Sequence, residues 1–283
     1  MDTILYINKP SGYTSFDVCN KLRRTLNTKK IGHTGTLDPN ATGVLIVLVG
    51  KYAKLNQFLT TSDKIYTAQV KLGFLTDTKD IWGNVIAKKE IINFDYDKIN
   101  NVLKSFIGKQ KQIPPMTSAI KINGKKLMQY QKEGIEVEIP AREIEVFSLD
   151  LVNLNLNENT FTVKCHVSKG TYIRSLVEDI CLKLNNYGSM SNLVREECNG
   201  VKLTECQSLD DIINGKINFH DPLKMLEKYY YIHQTTDPDH IKQGKRIRVN
   251  SNDEIIIVKD GIKVLAAYEK CDEYTYKSKR GLF

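Results

Sequence analysis

The chain of 283 residues carries 41 Lys and Arg against 33 Asp and Glu, a formal net charge of +8, with 41% hydrophobic and 26% charged residues. This is the composition of a globular protein long enough to bury a core unaided, and its basic excess favours a polyanionic partner without identifying one. No apolar run approaches a membrane span, residues 1–9 lack the basic flank and long apolar segment of a signal peptide, and none of the six cysteines sits in a C-x-x-C pair or at zinc spacing, so the expectation is a cytoplasmic protein with reduced thiols and no metal.

Residues 4–7 predict a short strand, and Lys9-Pro10-Ser11-Gly12 turns the chain. Ser15 predicts an N-cap for a helix to about Leu26, with Val18, Leu22 and Leu26 on one stripe. A glycine-punctuated loop, residues 32–43, precedes the apolar run 44–49, which predicts a buried strand; residues 52–59 look helical. Tyr66, Ala68, Val70 and Leu72 alternate with polar residues at the period of a half-buried strand. Trp82-Gly83-Asn84 marks a turn, and Asp95 predicts the cap of a helix to about Ile107. Residues 120–122 and Asn123-Gly124 read as a strand, a tight turn and then a short helix.

Two or three strands follow between residues 135 and 167, with a turn near 157–159. Ile173, Leu176, Val177, Ile180 and Leu184 form the stripe of a helix from about Thr171 to Leu184. Asp221-Pro222 and the polar stretch 233–239 predict a boundary near residue 230, so the expected domains are 1–230 and 231–283. In the second, residues 254–258 and 263–268 predict strands of a small β module with a basic tail at Lys277, Lys279 and Arg280. The irregular order of elements predicts an α+β fold with a mixed, largely antiparallel sheet flanked by helices.

The usual phosphate cradles, the H-E-x-x-H zinc motif and the G-x-S-x-G nucleophile elbow are all absent. The densest local signal is residues 32–43, where three glycines, His33 and Asp38 share one loop before an apolar strand. Glycine there permits positive φ and close approach of backbone to a ligand. Two readings of Asp38 stand open on these residues: a functional carboxylate, or the N-cap of a helix with Pro39 at its first position.

Residues 32–45, GHTGTLDPNATGVL, resemble the signature of the TruB-type pseudouridine synthases, with the bacterial type fitting better than guide-RNA relatives. Four further blocks follow in that family's order. They are Lys9-Pro10-Ser11-Gly12-Tyr13-Thr14-Ser15; Asp63-Lys64-Ile65-Tyr66 with Leu72-Gly73 and Thr76-Asp77-Thr78; the segments from Gln112 to Leu127; and Ser168-Lys169-Gly170-Thr171-Tyr172-Ile173-Arg174. Together they span about residues 3–200. After Leu193 the likeness weakens, and acidic Glu196 and Glu197 interrupt the expected pattern. The last 50 or so residues are only loosely like the PUA-type domain of many members.

The resemblance implies an isomerase that converts uridine 55 in the T loop of tRNA to pseudouridine, acting without a cofactor. It implies that Asp38 is the nucleophile, that Arg174 pairs with it, and that Tyr66 stacks on the target uracil and assists loss of the C5 proton. It implies substrate-binding roles for His33, Tyr172, Leu193 and Lys121, with His33 entering the space the flipped base leaves. Left to themselves, Arg174 reads as a solvated surface arginine and Tyr66 as half-buried filler. The family's RNA-clamping insertion corresponds to about residues 108–142. Residues 101–142 hold eight Lys and Arg against three Glu, a suitable charge for gripping phosphates. The T arm of tRNA is the expected partner, with no membrane, no obligate protein partner and a monomeric state. Two rivals remain: a non-catalytic tRNA-binding or tRNA-folding protein on this scaffold, and a synthase acting on another RNA.

Overall fold

A computed structural model describes residues 1–60 and 62–283. The chain divides into two compact units: Met1–Pro39, Gly43–Thr61 and Cys198–Phe283 form the first, and Asn40–Thr42 with Ser62–Glu197 the second. Strands and helices intermix in both, as an α+β fold requires. Most strand pairs are antiparallel, and two parallel ones are named below. No helix is long and apolar enough to cross a membrane among the described residues.

In the first unit, β1 (Thr3–Lys9) leads to α1 (Ser15–Thr25), β2 (Ile31–His33), β3 (Thr42–Val49), a 3-10 turn at Gly50–Leu55 and the short α2 (Asn56–Leu59). β3 lies antiparallel between β1 and β2, with Thr3 opposite Val49 and Lys9 opposite Gly43. Its run is continuously apolar because both faces are covered: Val44, Ile46 and Leu48 enter one core cluster, and Leu45, Val47 and Val49 another. The α1 stripe of Val18 and Leu22 packs into the second cluster as the periodicity predicts. Thr14, not Ser15, is the N-cap: its hydroxyl accepts from the Asp17 N–H, and the Asp17 carboxylate accepts from the Thr14 N–H. Ser15 is thereby free to serve another segment.

The second unit holds β4 (Lys64–Leu72), the hairpin of β5 (Phe74–Thr76) and β6 (Val85–Lys88), and α3 (Tyr96–Lys104), which Asp95 caps as expected. Next come β7 (Gly108–Gln112), the hairpin of β8 (Lys121–Ile122) and β9 (Lys125–Lys126), and α4 (Leu127–Lys132). β10 (Arg142–Asn155), β11 (Thr160–Val167), α5 (Ile173–Lys183) and β12 (Gly188–Cys198) complete it. The strand order is β12–β4–β11–β10–β7. The predicted hairpin turn falls at Asn159, whose φ of 53° suits an asparagine.

The chain then returns to the first unit through β13 (Val201–Lys202), β14 (Gln207–Ser208), α6 (Leu209–Ile213) and α7 (Leu223–Leu226), with β14 parallel to β1. β15 (Tyr231–Gln234), α8 (Pro238–Lys242), β16 (Ile247–Arg248), β17 (Ile255–Asp260), β18 (Lys263–Lys270) and β19 (Thr275–Gly281) follow. These strands make a five-stranded sheet in the order β15–β17–β18–β19–β16, with β15 parallel to β17. One face has its own core around Ile256, Tyr268 and Tyr276. The other shares a cluster with Ile4, Ile46 and Met225.

All six cysteines are free thiols, four of them buried. Burial pushes Cys19 up to about 11 and Cys165 up to about 12, so both stay protonated and unreactive at neutral pH.

Lys9 is wholly buried, and its ammonium donates to the carbonyls of Pro10 at 2.9 Å, Tyr13 at 2.6 Å and Pro39 at 2.9 Å. A buried cation persists only where acceptors replace its water, and three carbonyls from two turns do so here. Lys9→Met, similar in length, leaves all three carbonyls without the ammonium, with Pro39 keeping its bond from Gly12 N–H. The expected cost is about 2–4 kcal/mol, read as a lower urea midpoint with an unchanged slope. An unchanged midpoint would show that the staple is dispensable.

Candidate active site

The loop of residues 32–43 is held from several sides within the first unit. Thr34 N–H donates to the Ile46 carbonyl at 3.1 Å. The Ser15 hydroxyl accepts from Leu37 N–H at 2.8 Å and reaches back to the Leu37 carbonyl at 3.3 Å. The Pro39 carbonyl accepts from Gly12 N–H at 3.0 Å as well as from Lys9. Leu37, 3% exposed, is a core residue. The residues on both sides of Asp38 are therefore fixed through their backbone, and Asp38 itself is half-buried. No helix starts here: residues 39–40 form a turn and the chain enters β3 at Thr42. The N-cap reading of Asp38 is corrected accordingly. His33 ends β2 opposite Val47 and is also half-buried.

In the second unit Arg174 occupies the first turn of α5 at 5% exposure. Its guanidinium donates to the Thr78 carbonyl at 2.9 Å, the Thr117 hydroxyl at 2.5 Å and the Thr117 carbonyl at 3.3 Å, and Asp80 Oδ2 lies 3.7 Å away. The reading of this arginine as a solvated surface residue is corrected: its fork is desolvated and fixed in one orientation. Asp80 is in turn set by neighbours, since its Oδ1 accepts from the Thr78 hydroxyl at 2.7 Å and the Trp82 N–H at 3.2 Å.

Tyr172 supplies the N-cap position of α5 but makes no side-chain cap. Gln112, 4% exposed, does that work from β7. Its Oε1 accepts from Tyr172 N–H at 2.8 Å, and its Nε2 donates to the Tyr172 carbonyl at 3.0 Å. Ser175 donates to the Ile113 carbonyl at 3.1 Å. The root of the insertion is thus tied to the same helical turn that carries Arg174. Tyr66 sits on β4 opposite Cys165 at 7% exposure, and Leu193 sits on β12 at 5%. Arg195 on β12 is also interior, at 1%.

Among the expected residues, then, His33 and Asp38 belong to the first unit, and Tyr66, Lys121, Tyr172, Arg174 and Leu193 to the second. Lys121 is exposed on the β8–β9 hairpin. Around it, Lys126 and Lys132 are exposed too, whereas Lys125 is paired with Glu133 and lies over the Tyr130 ring at 4.8 Å. In the C-terminal tail, Lys277 and Lys279 are both committed to Glu269, at 3.2 and 2.7 Å. Gln112, Thr117 and Asp80 are the residues that sequence reasoning missed. The motif blocks contain or flank all three, yet only the folded contacts reveal what they hold. No group of three or more His, Cys, Asp or Glu is placed to bind a metal among the described residues.

Residues 23–173 match the family model of the TruB family pseudouridylate synthase N-terminal domain. A protein of Oceanobacillus iheyensis called tRNA pseudouridine synthase B is 39% identical over 292 residues, covering 95% of this chain and 93% of its own. Proteins of the same name from Mesoplasma florum and Fusobacterium nucleatum are 38% and 49% identical. The first match covers 98% of this chain and 97% of the relative. The second covers 70% and 68%. A solved Cbf5–Nop10–Gar1 complex contains a chain of similar fold, with TM-score 0.74 at 21% identity over 99% of this chain and 85% of that one.

Proposed function

The chain belongs to the TruB family of pseudouridylate synthases and is a pseudouridine synthase; from that premise we propose that it acts on tRNA, at uridine 55 of the T loop, with Asp38 as nucleophile. The reaction breaks the bond from N1 of uracil to C1′, turns the base, and joins C5 to C1′. The C5 proton leaves and N1 gains one, so there is no net redox change. A carboxylate is suited to the nucleophile's task because it is ionised at neutral pH. The target base is stacked within the tRNA elbow and has to be everted first, at a cost of a few kcal/mol.

The observation that carries this reading is the pinning of Leu37 and Pro39 on either side of Asp38. A nucleophile needs fixed geometry, and here the backbone supplies it while the side chain keeps its chemistry. In this reading Arg174 holds the attacking carboxylate ionised and oriented. Tyr66 lies against the uracil and assists removal of the C5 proton. His33 fills the vacated stack, and Tyr172 and Leu193 line the base pocket. The insertion of residues 108–142, with Lys121 at its hairpin, grips the loop backbone, and residues 231–283 form a PUA-like module. Carbodiimide mapping of pseudouridine after incubating the purified protein with unmodified tRNA tests the proposal. Modification confined to uridine 55, and lost when that base is cytidine, is the expected result. Binding without modification, or modification elsewhere, would overturn it.

A further inference from the structure

The catalytic reading leaves unused a cation-rich surface of the first unit, α1 and the turn that follows it. Residues 15–30 hold Lys21, Arg23, Arg24, Lys29 and Lys30 against Asp17 alone. Asp17 is already engaged at the other end of the helix, where its carboxylate accepts from the Thr14 N–H and hydroxyl. None of the five cations forms an ion pair among the described residues. Elsewhere Lys79 is matched by Glu178, Lys125 by Glu133, and Lys277 and Lys279 by Glu269. Five unneutralised like charges on one short segment repel one another, and that repulsion is relieved by a polyanion.

The face is built as well as charged. Phe16, Asn20, Arg23 and Arg24 recur at i, i+4, i+7 and i+8, opposite the buried Val18 and Leu22. Phe16 is 58% exposed, and the Arg23 guanidinium lies 5.0 Å from its ring centre. Arg23 is held there by donating to Asn20 Oδ1 at 2.7 Å and to the Ile31 carbonyl at 3.1 Å. The Lys21 ammonium lies 4.6 Å from the Tyr13 ring centre. Cations interleaved with aromatic rings on an exposed face suit a nucleic-acid contact, where phosphates meet the cations and bases the rings. The helix also starts at the catalytic loop, because Ser15 bonds Leu37 next to Asp38. Eleven residues carry it about 16 Å away from that point.

We propose that the Phe16–Arg23–Arg24 face of α1, continued by Lys29 and Lys30, is a second RNA-backbone contact, which holds substrate phosphates outside the target nucleotide's own pocket. The proposal rests on the chain's acting on an RNA substrate. It is tested with Arg24→Gln, Lys29→Gln and Lys30→Gln combined, because these exposed side chains hold no other part of the fold. A companion variant, Arg24→Lys with Lys29→Arg and Lys30→Arg, keeps the charge. Binding of unmodified tRNA is measured across a salt series, with single-turnover rates at saturating enzyme.

The Gln variant is expected to bind about 10-fold more weakly at 0.1 M salt. Its log–log salt slope should be shallower by about 0.7–0.9 for each phosphate that is no longer neutralised. The rate at saturation should be unchanged, and the charge-keeping variant should bind like the parent. An unchanged slope overturns the proposal, as does a charge-keeping variant as weak as the Gln variant. So does loss of binding to anionic phospholipid vesicles while tRNA binding is kept. If the parent protein binds tRNA but forms no pseudouridine, the functional reading fails instead, because the slope is read from binding and not from turnover.

Discussion

Asp38→Asn is expected to reduce pseudouridine formation by at least about four orders of magnitude while tRNA affinity stays within a few-fold. Asparagine matches aspartate in size, so the loop keeps its shape. The bonds that fix that loop run to Leu37 and Pro39, not through the Asp38 side chain alone. On the proposed assignment the substitution removes the negative oxygen that would form the bond to substrate, and a neutral amide is a poor substitute. Single-turnover conversion with enzyme in excess over tRNA measures the first quantity, and filter binding the second. Conversion at a comparable rate would show that another group attacks. A parallel loss of binding would show that the carboxylate builds the site and does no chemistry.

Arg174 carries the second large effect, and two substitutions separate its roles. Arg174→Gln removes a cation that is 5% exposed, leaving Asp80 and the acceptors at Thr78 and Thr117 with reduced compensation. Breaking an interior charge cluster from one side costs roughly 3–5 kcal/mol, so the melting temperature should fall sharply. Arg174→Lys keeps the charge but loses the planar fork, whose second nitrogen donates to the Thr117 carbonyl while the first serves the Thr78 carbonyl, the Thr117 hydroxyl and Asp80. It should melt closer to the parent yet turn over about 100- to 1,000-fold more slowly, the scale of losing one oriented electrostatic partner. Equal turnover in the lysine variant would mean that charge suffices and the fork is only structural.

The legibility of this fold varies in a physically consistent way. α1, β4 and α5 announce themselves because each satisfies its own periodicity, 3.6 or 2, against a core, and β3 does so by an unbroken apolar run buried on both faces. β7, with the sequence GKQKQ, and β12, which opens GSMSN, do not. Their side chains are poor strand formers, and it is the neighbouring backbones, β10 for β7 and β4 for β12, that make them strands. The helix caps divide similarly. Asp95 is read correctly from its local pattern, whereas Ser15, equally plausible as a cap, bonds the Leu37 backbone instead, and no helix follows Asp38.

The order of motif blocks along the chain determined the family, and with it the identity of the expected site residues, since a type of chemistry needs particular groups in a particular sequence context. Tertiary structure alone decided which side chains are desolvated and what holds them. The partners of Arg174 lie 57 and 96 residues away along the chain. Lys9 reaches across 30 residues to Pro39. Short-range pattern carries information about neighbours within a turn or a strand, whereas the burial of a charge depends on contacts between distant segments, which exist only once the chain has folded.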